Sequence, residues 1–158
     1  YNKSAGDLWA VYEAMLYHPA AWQAAPGNLK RPAEFMASAL RALAIPEARL
    51  EAWKPGRINK KLRQPLMRMG QPWQRPLGPD GWAEEDDAWA TPQGMAGRLQ
   101  WALALSELMG GNLPDPRDFV EVALGPEAPE AVRFAAKAAE SRREGVALVL
   151  MAPAFQRI

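Results

Sequence analysis

The stretch GQPWQRPLGPDGWAEEDDAWATPQGMAGRLQWALA, residues 70–104, decides the fold. Its first part is rich in proline, which fixes its own φ and disfavours helix in the preceding residue, so an extended loop is predicted. Pro79-Asp80-Gly81 is typical of a turn, because proline presets one φ and glycine tolerates a positive one. Trp73, Trp82 and Trp89 follow one another at neither the strand nor the helix period. Long irregular loops inside compact domains are uncommon and are often functional.

A helix is predicted to begin where this loop ends. Thr91 is a good N-cap, and Pro92 suits the first helical position, where no intrahelical bond needs its missing N–H. Apolar side chains then cover most of the helix surface. They are Met95, Leu99, Trp101, Ala102, Leu103, Leu105 and Leu108. A helix of this kind is central and buried, and Gly110-Gly111 is expected to end it.

Other helices are predicted on both sides of the central one. A capping motif at residues 4–7 opens the first, and a turn at residues 25–28 precedes a second over residues 31–45. Pro46 is predicted to start a short helix to Trp53, which Lys54-Pro55-Gly56 breaks. A helix over residues 59–69 follows, and Pro65 should kink or split it. Three more helices are expected in the last third of the chain. One follows an Asp115 cap, one covers residues 130–140, and a buried one covers residues 146–152.

Together these elements predict an all-α fold, an array of about eight helices with a long Pro/Trp-rich loop and no credible sheet. Residues 1–158 are interpreted as a single helical domain or as the C-terminal part of a larger helical domain. The length of 158 residues and the 49% hydrophobic content suffice for a buried core. No apolar run approaches the ~18 residues of a membrane helix, so no membrane span is expected.

Charge is segregated along the sequence, although the net charge is only +1. Residues 54–75 hold seven basic residues and no acid, whereas residues 80–87 hold five acids and no base. We interpret the two stretches as solvated surfaces that partly neutralise each other. A phosphate footprint needs a basic excess, so no nucleic-acid partner is expected. A calcium site in the acidic stretch is a weaker alternative, because the EF-hand spacing is missing.

The candidate ligand-binding residues lie in the Pro/Trp-rich loop and are Trp73, Arg75, Asp80, Trp82 and Trp89. The three indoles could stack on sugar rings, with Arg75 and Asp80 as polar partners. Alternatively they fasten the loop to the helices, since large aromatic side chains dominate protein cores; this alternative predicts a buried Trp82. Exposure of the indoles distinguishes the two.

No catalytic residue, metal ligand or cofactor is predicted. The single histidine, His18, is interpreted as a helix-boundary residue that hydrogen-bonds locally, because no acidic or histidine partner is near it in sequence. The chain has no cysteine, which excludes disulfides, thiol catalysis and zinc sites with cysteine ligands.

Several motifs resemble the bacterial domain-of-unknown-function 1800 family. They are Gly70-Gln71-Pro72 with the Pro-rich run, Gly81-Trp82, Trp89, Arg98-Leu99-Gln100-Trp101-Ala102, Arg31-Pro32-Ala33-Glu34-Phe35, Tyr17-His18-Pro19 with Trp22, and Pro153-Ala154-Phe155-Gln156-Arg157. The motifs are spread over nearly the whole chain. Members of that family are much longer, so the resemblance implies that this chain corresponds to their C-terminal portion. It also implies an exported or periplasmic parent protein, and it brings no established activity or catalytic residues.

The sequence leaves two classes of function open and does not decide whether the protein is an enzyme. The first is a non-enzymatic helical scaffold or interaction region of a larger exported protein. Its partner would be the N-terminal remainder of the parent chain, or another protein. The second is the substrate-binding part of an enzyme, for example a carbohydrate-directed one, whose catalytic residues lie partly upstream.

Overall fold

The computed structural model describes residue 2, residues 5–22 and residues 27–158, with only the backbone of Ser106. The helices are α1 (Leu8–Tyr17), α2 (Pro32–Ala42), α3 (Glu47–Glu51), α4 (Pro55–Ile58), α5 (Gln64–Arg68), α6 (Asp86–Trp89), α7 (Pro92–Leu108), α8 (Pro116–Leu124), α9 (Glu130–Ala138), α10 (Arg142–Met151) and α11 (Pro153–Gln156). A 3-10 turn over Pro19–Trp22 follows α1, and a π-helical stretch over Asn59–Arg63 joins α4 to α5. Of the helices described, none combines the length and the apolar character that crossing a bilayer requires.

The predicted all-α fold is confirmed, since no β-strand forms within the described ranges. Two isolated bridges are present, one between Leu29 and Arg157 and one between Gly78 and Gly81. The first holds the segment before α2 against the C-terminal end of the sequence. The predicted turn at residues 25–28 lies partly outside the described residues, and so does the predicted capping motif at residues 4–7. Asp7 is seen as the N-cap of α1.

Helix α7 is the centre of the core, as predicted. It packs against α5 and α10, and α10 packs in turn against α8 and α9. The buried side chains of this core include Phe35, Met36, Ala39, Leu66, Trp101, Leu105, Leu108, Phe119, Val120, Val146, Val149, Leu150 and Phe155. Thr91 caps α7 by accepting the Gly94 N–H at 3.0 Å, which confirms the predicted start.

The buried face of α7 differs from the one that the apolar residues alone indicated at two positions, Leu99 and Arg98. Leu99, which was expected to face inward, is exposed. Burial instead recurs with the helical period through Arg98, Trp101, Ala102, Leu105 and Leu108, each at most 4% exposed. A charged residue therefore occupies a core position in the central helix.

Two helix limits test the predictions directly. The predicted break at Lys54-Pro55-Gly56 is confirmed, because α3 ends at Glu51 and Lys54 is extended. Pro55 then takes the first position of α4, which tolerates proline. The predicted buried helix over residues 146–152 is confirmed as part of α10. The N-cap of α10 is Ser141, which accepts the Glu144 N–H at 3.2 Å.

Pro65 lies at the junction where the π-helical stretch passes into α5. Because proline has no N–H, the Lys61 carbonyl one turn earlier loses its usual α-helical donor. The indole Nε1 of Trp101 donates to that carbonyl at 3.0 Å. Helix α7 thus satisfies a backbone group that the proline leaves open, and this bond fixes α5 against the core.

Residues 69–85, between α5 and α6, form neither helix nor strand apart from the bridge at residues 78 and 81. Gly70 and Gly81 both have a φ of 93°, which glycine adopts without steric cost. Gln74 has a φ of 54°, an unusual value for a residue with a Cβ. The loop therefore changes direction on both sides of Trp73.

Candidate functional site

A buried cationic cluster, consisting of Lys30, Arg98 and Gln156, joins two of the motif stretches to the segment before α2. Arg98 Nη1 donates to Gln156 Oε1 at 2.6 Å, and Arg98 Nη2 donates to the Lys30 carbonyl at 2.6 Å. Lys30 Nζ donates to the Phe155 carbonyl at 2.6 Å. Gln156 Nε2 donates to the Leu150 carbonyl at 2.6 Å. Helix α7, the segment before α2 and the end of α11 are thereby held by side chains of one cluster.

Aromatic rings surround the cationic cluster. The Phe35 ring meets Trp101 and Phe155 edge-on, with centroids 5.7 and 6.2 Å away. The Arg98 guanidinium lies 5.2 Å from the Phe35 centroid, and Lys30 Nζ lies 4.2 Å from the Phe155 centroid. The negative faces of these rings replace part of the hydration that the two cations lose.

No described carboxylate forms an ion pair with Lys30 or Arg98. Glu34 attracts both charges but is bonded to Arg31, whose Nη2 lies 2.5 Å from Glu34 Oε1. Desolvation by burial lowers the pKa of Arg98 to about 10, and it lowers the pKa of Lys30 as well. The Nε of Arg98 has no hydrogen-bond partner within the described part of the chain. Arg98 is 0% exposed, so we interpret this cluster as a structural tie and not as a surface for ligands.

Two polar side chains fix the loop of residues 69–85, one to α2 and the other to the segment before α2 and to Arg157. Near its beginning, buried Gln71 accepts the Ala33 N–H on Oε1 at 2.7 Å. Just past its end, Asp86 accepts the Leu29 N–H at 2.6 Å and pairs with Arg157 at 2.8 Å. The Leu29 N–H, followed by Arg157, lowers the pKa of the Asp86 carboxyl. Both ends of the loop are thus held, which sets the position of the tryptophans between them.

The five predicted ligand-binding residues differ in their surroundings. Trp89 is 4% exposed, and its indole N–H donates to a loop carbonyl 3.0 Å away. Trp82 is half-buried and meets the Trp89 ring edge-on, with centroids 6.2 Å apart. Trp73 is 51% exposed, and Arg75 and Asp80 are also exposed. The indoles that a ligand can reach are therefore those of Trp73 and, in part, Trp82.

Trp73 lines three depressions of the surface. The one called the Trp73 depression below measures about 270 Å³ and is formed by Asn59, Arg63, Gln64, Met67, Pro72, Trp73 and Arg75. An apolar groove of about 240 Å³ lies between α2 and the α4–α5 helix, and a depression of about 180 Å³ includes Trp82. The structure thus brings Trp73 together with Arg75 on one side and with Trp82 on the other. Asp80 lines none of the three.

Sequence reasoning missed the helical half of the Trp73 depression. Asn59, Arg63 and Met67 come from the helical segment before the loop and recur every four residues, so they share one helix face. That spacing was the available signal. No signal in the sequence predicts that the loop returns over this face of the helix.

The basic and acidic stretches are not joined by ion pairs among the described residues. Lys61 pairs with Glu107 at 2.5 Å, and Asp86 pairs with Arg157. Among the described residues, the side chains of Arg63 and Arg75 have neither a hydrogen-bond nor an ion-pair partner. The mutual neutralisation that we expected does not take the form of direct contacts, so the Trp73 depression keeps its positive charge.

His18 lies at the end of α1, where its Nδ1 accepts the Ala20 N–H at 3.2 Å. This confirms its interpretation as a helix-boundary residue with a local hydrogen bond. Over the described ranges, no group of three or more histidine, aspartate or glutamate side chains is arranged to hold a metal ion.

Comparison with known proteins gives a family match. No curated protein and no solved structure matches the chain. The model of the family described as "Protein of unknown function (DUF1800)" matches residues 1–157. The matched region contains the cationic cluster, the loop of residues 69–85 and the Trp73 depression. Since the match covers essentially the whole sequence, the chain belongs to this family of unknown function, as its motifs predicted.

Proposed function

We propose that the chain is a helical interaction region of a larger exported bacterial protein, and that α1 packs against the upstream part of that protein. The observation that carries this proposal is the exposure of α1, which contains no buried residue. The resemblance of the motifs to a family of much longer, exported proteins supports the identity of the partner and the localisation.

One face of α1 has the composition of a buried helix surface. The α1 apolar face consists of Leu8, Trp9, Tyr12, Met15 and Leu16, whose side chains are between 53% and 77% exposed. Their spacing of three, four and seven residues places them side by side on the helix. An exposed patch of large apolar residues is typical of a surface that another chain segment covers.

Substitutions on the two faces of α1 test this proposal. The double variant Leu8→Gln with Met15→Gln removes apolar contacts from the α1 apolar face, whereas Ala10→Ser with Ala14→Ser changes the opposite face. Fully burying two large apolar side chains stabilises by roughly 3–6 kcal/mol, so the first variant should destabilise the longer protein measurably. In the chain of residues 1–158 alone, both variants should unfold like the wild type, because α1 buries nothing there.

Melting temperatures of the two double variants, each measured in the longer protein and in residues 1–158 alone, decide the proposal. Equal melting temperatures for the two variants in the longer protein would reject packing of α1 against the upstream part. A dimer of the chain alone that dissociates in the Leu8→Gln, Met15→Gln variant would also reject it, because a second copy would then be the partner. Sedimentation velocity measures the oligomeric state of the chain alone.

A second candidate function is favoured by a different observation, the half-exposed indole of Trp73 beside two unpaired arginines. It is a ligand-binding region, directed at carbohydrate, of an enzyme that upstream residues complete. Binding of a saccharide by the chain alone is its first test.

A further inference from the structure

We propose that the Trp73 depression binds one ring of an acidic saccharide, with the carboxylate on the arginines and the ring face on the indole. This inference rests on the second candidate function and is independent of how α1 packs. The same surface holds an aromatic plane, amide groups and cations, which are the three kinds of group that such a ligand requires.

The aromatic plane is held in place and accessible. Trp73 follows Pro72, whose φ is fixed, and Gln71, which is buried and bonded to the backbone of α2 at 2.7 Å. Half of the Trp73 side chain is exposed. The face of an indole carries the negative part of its quadrupole, so it attracts the weakly positive C–H groups on one face of a sugar ring.

The polar groups around Trp73 suit a sugar that carries a carboxylate. Arg63 and Arg75 lie on the rim without acidic partners in the described part of the chain, and none of the lining residues is an acid. A guanidinium binds a carboxylate through two parallel hydrogen bonds, which is stronger and more specific than a contact with a neutral group. The Asn59 and Gln64 amides offer both donors and acceptors, which match sugar hydroxyls.

The size of the depression indicates one ring of a longer chain. Its volume of about 270 Å³ lies below the roughly 300–1,000 Å³ of pockets that enclose a whole drug-sized ligand. Gln64 also lines a neighbouring depression, of about 170 Å³, together with Lys60, Lys61 and Arg68. An acidic oligosaccharide can therefore continue from the Trp73 depression toward further cations.

A saccharide fits this surface better than a single-stranded nucleic acid does. Stacking of successive bases needs several aromatic platforms along the strand. In the described structure the Trp73 depression offers one indole, and the only tryptophan in the neighbouring depression is Trp101, which is buried and bonded to Lys61. The surface offers one aromatic contact and then several cations. An acidic oligosaccharide matches it, with one ring stacked on the indole and the following carboxylates near the cations.

Calorimetric titration with three oligomers of equal length tests the proposal. The probes are a galacturonic acid hexamer, neutral maltohexaose and a single-stranded DNA hexamer, all at physiological salt. We expect the galacturonate to bind most tightly. Trp73→Ala should weaken it at least about tenfold, the loss of a good stacking contact, and Arg63→Gln or Arg75→Gln roughly three- to tenfold.

Matched controls separate this result from general electrostatics and from unfolding. Arg57→Gln removes the same charge from the same basic helix, but its guanidinium lies over Trp53 and lines neither depression. It should change the affinity less than about twofold, a fraction of a kcal/mol. Trp73→Ala loses the buried half of its indole but should still unfold well above the titration temperature. The Leu8→Gln, Met15→Gln variant should bind normally, because α1 is not involved.

Three results would overturn the proposal: equal binding of galacturonate and maltohexaose, tighter binding of DNA than of galacturonate, or an equal effect of Arg57→Gln and Arg63→Gln. A failure to bind any saccharide would reject it together with the second candidate function. That outcome leaves the packing of α1 untouched, because α1 is tested by melting.

Discussion

Replacing Arg98 by methionine tests whether the cationic cluster holds the fold together. Methionine is about as long as arginine, favours helix and packs adaptably, so the substitution removes the hydrogen bonds while keeping most contacts. The Lys30 carbonyl and Gln156 Oε1 then lose their 2.6 Å donors inside the core. Each buried acceptor left without a donor costs roughly 1–3 kcal/mol, or roughly 2–6 kcal/mol for both.

Part of this loss is offset, because the variant no longer buries a cation with an unpartnered Nε. We therefore expect Arg98→Met to lower the free energy of unfolding by about 2–4 kcal/mol. For a chain of this length, that corresponds to a melting temperature lower by about 5–15 °C. Denaturant titration followed by circular dichroism measures the free energy, and thermal melts measure the temperature.

The same substitution at Arg68, an exposed arginine of α5, is the control and should leave the stability within about 0.5 kcal/mol of wild type. A double-mutant cycle of Arg98→Met with Gln156→Leu should give a coupling energy of roughly 0.5–3 kcal/mol, as expected for residues in direct contact. An Arg98→Met variant as stable as the wild type would refute this reasoning. It would mean that well-packed apolar atoms serve this position equally well.

Three further substitutions test other contacts. Asp86→Asn should lower the stability above about pH 4 and flatten the acid limb of the stability curve. The folded state depresses the pKa of Asp86, so the carboxylate stabilises the fold above its unfolded pKa of about 3.8. This stabilisation is lost as the pH falls through the folded pKa. Melting across the acid range should show both effects. Trp101→Phe should cost about 1–3 kcal/mol in denaturant unfolding, because the Lys61 carbonyl loses its indole donor. Gly145→Ala should cost about 1–3 kcal/mol by the same assay, because a Cβ there would crowd the Pro116 ring; an unchanged midpoint would show that α8 can move away.

The helices were predictable where their signals are local. Thr91 with Pro92 and Asp115 with Pro116 set helix starts through bonds that span two or three residues, and the structure confirms both. Such signals involve neighbouring residues only, so they can be identified without knowing the fold. The central position of α7 followed from its apolar surface in the same way.

The burial of Arg98 could not be predicted from the pattern. A charged side chain in an apolar helix is normally assigned to the solvent face, because burying a charge is costly. Its partners here, Gln156 and the Lys30 carbonyl, lie 58 and 68 residues away in sequence. Only the tertiary fold places them there, and the same placement turns Leu99 outward.

Only part of the candidate site was predictable, because its residues come from two elements that only the tertiary fold brings together. Trp73 and Arg75 belong to one loop and were identified together as candidates, whereas Arg63 joins them from a helix that the loop crosses. For α1 the sequence predicted a helix correctly, and its apolar residues recur at helical spacing. An amphipathic pattern gives a face but not the surface that covers it, so the partner of α1 remains a proposal.

Hydrogen–deuterium exchange over α1 tests the proposed interaction most directly. Helix Leu8–Tyr17 buries no residue in the chain described here, so its amides should exchange rapidly when residues 1–158 are studied alone. In the longer protein, docking of the α1 apolar face should slow the same amides by at least about a hundredfold, which corresponds to roughly 3 kcal/mol of stabilisation. Equal exchange rates for α1 in the two proteins would contradict the proposal that this chain is an interaction region covered by its upstream part.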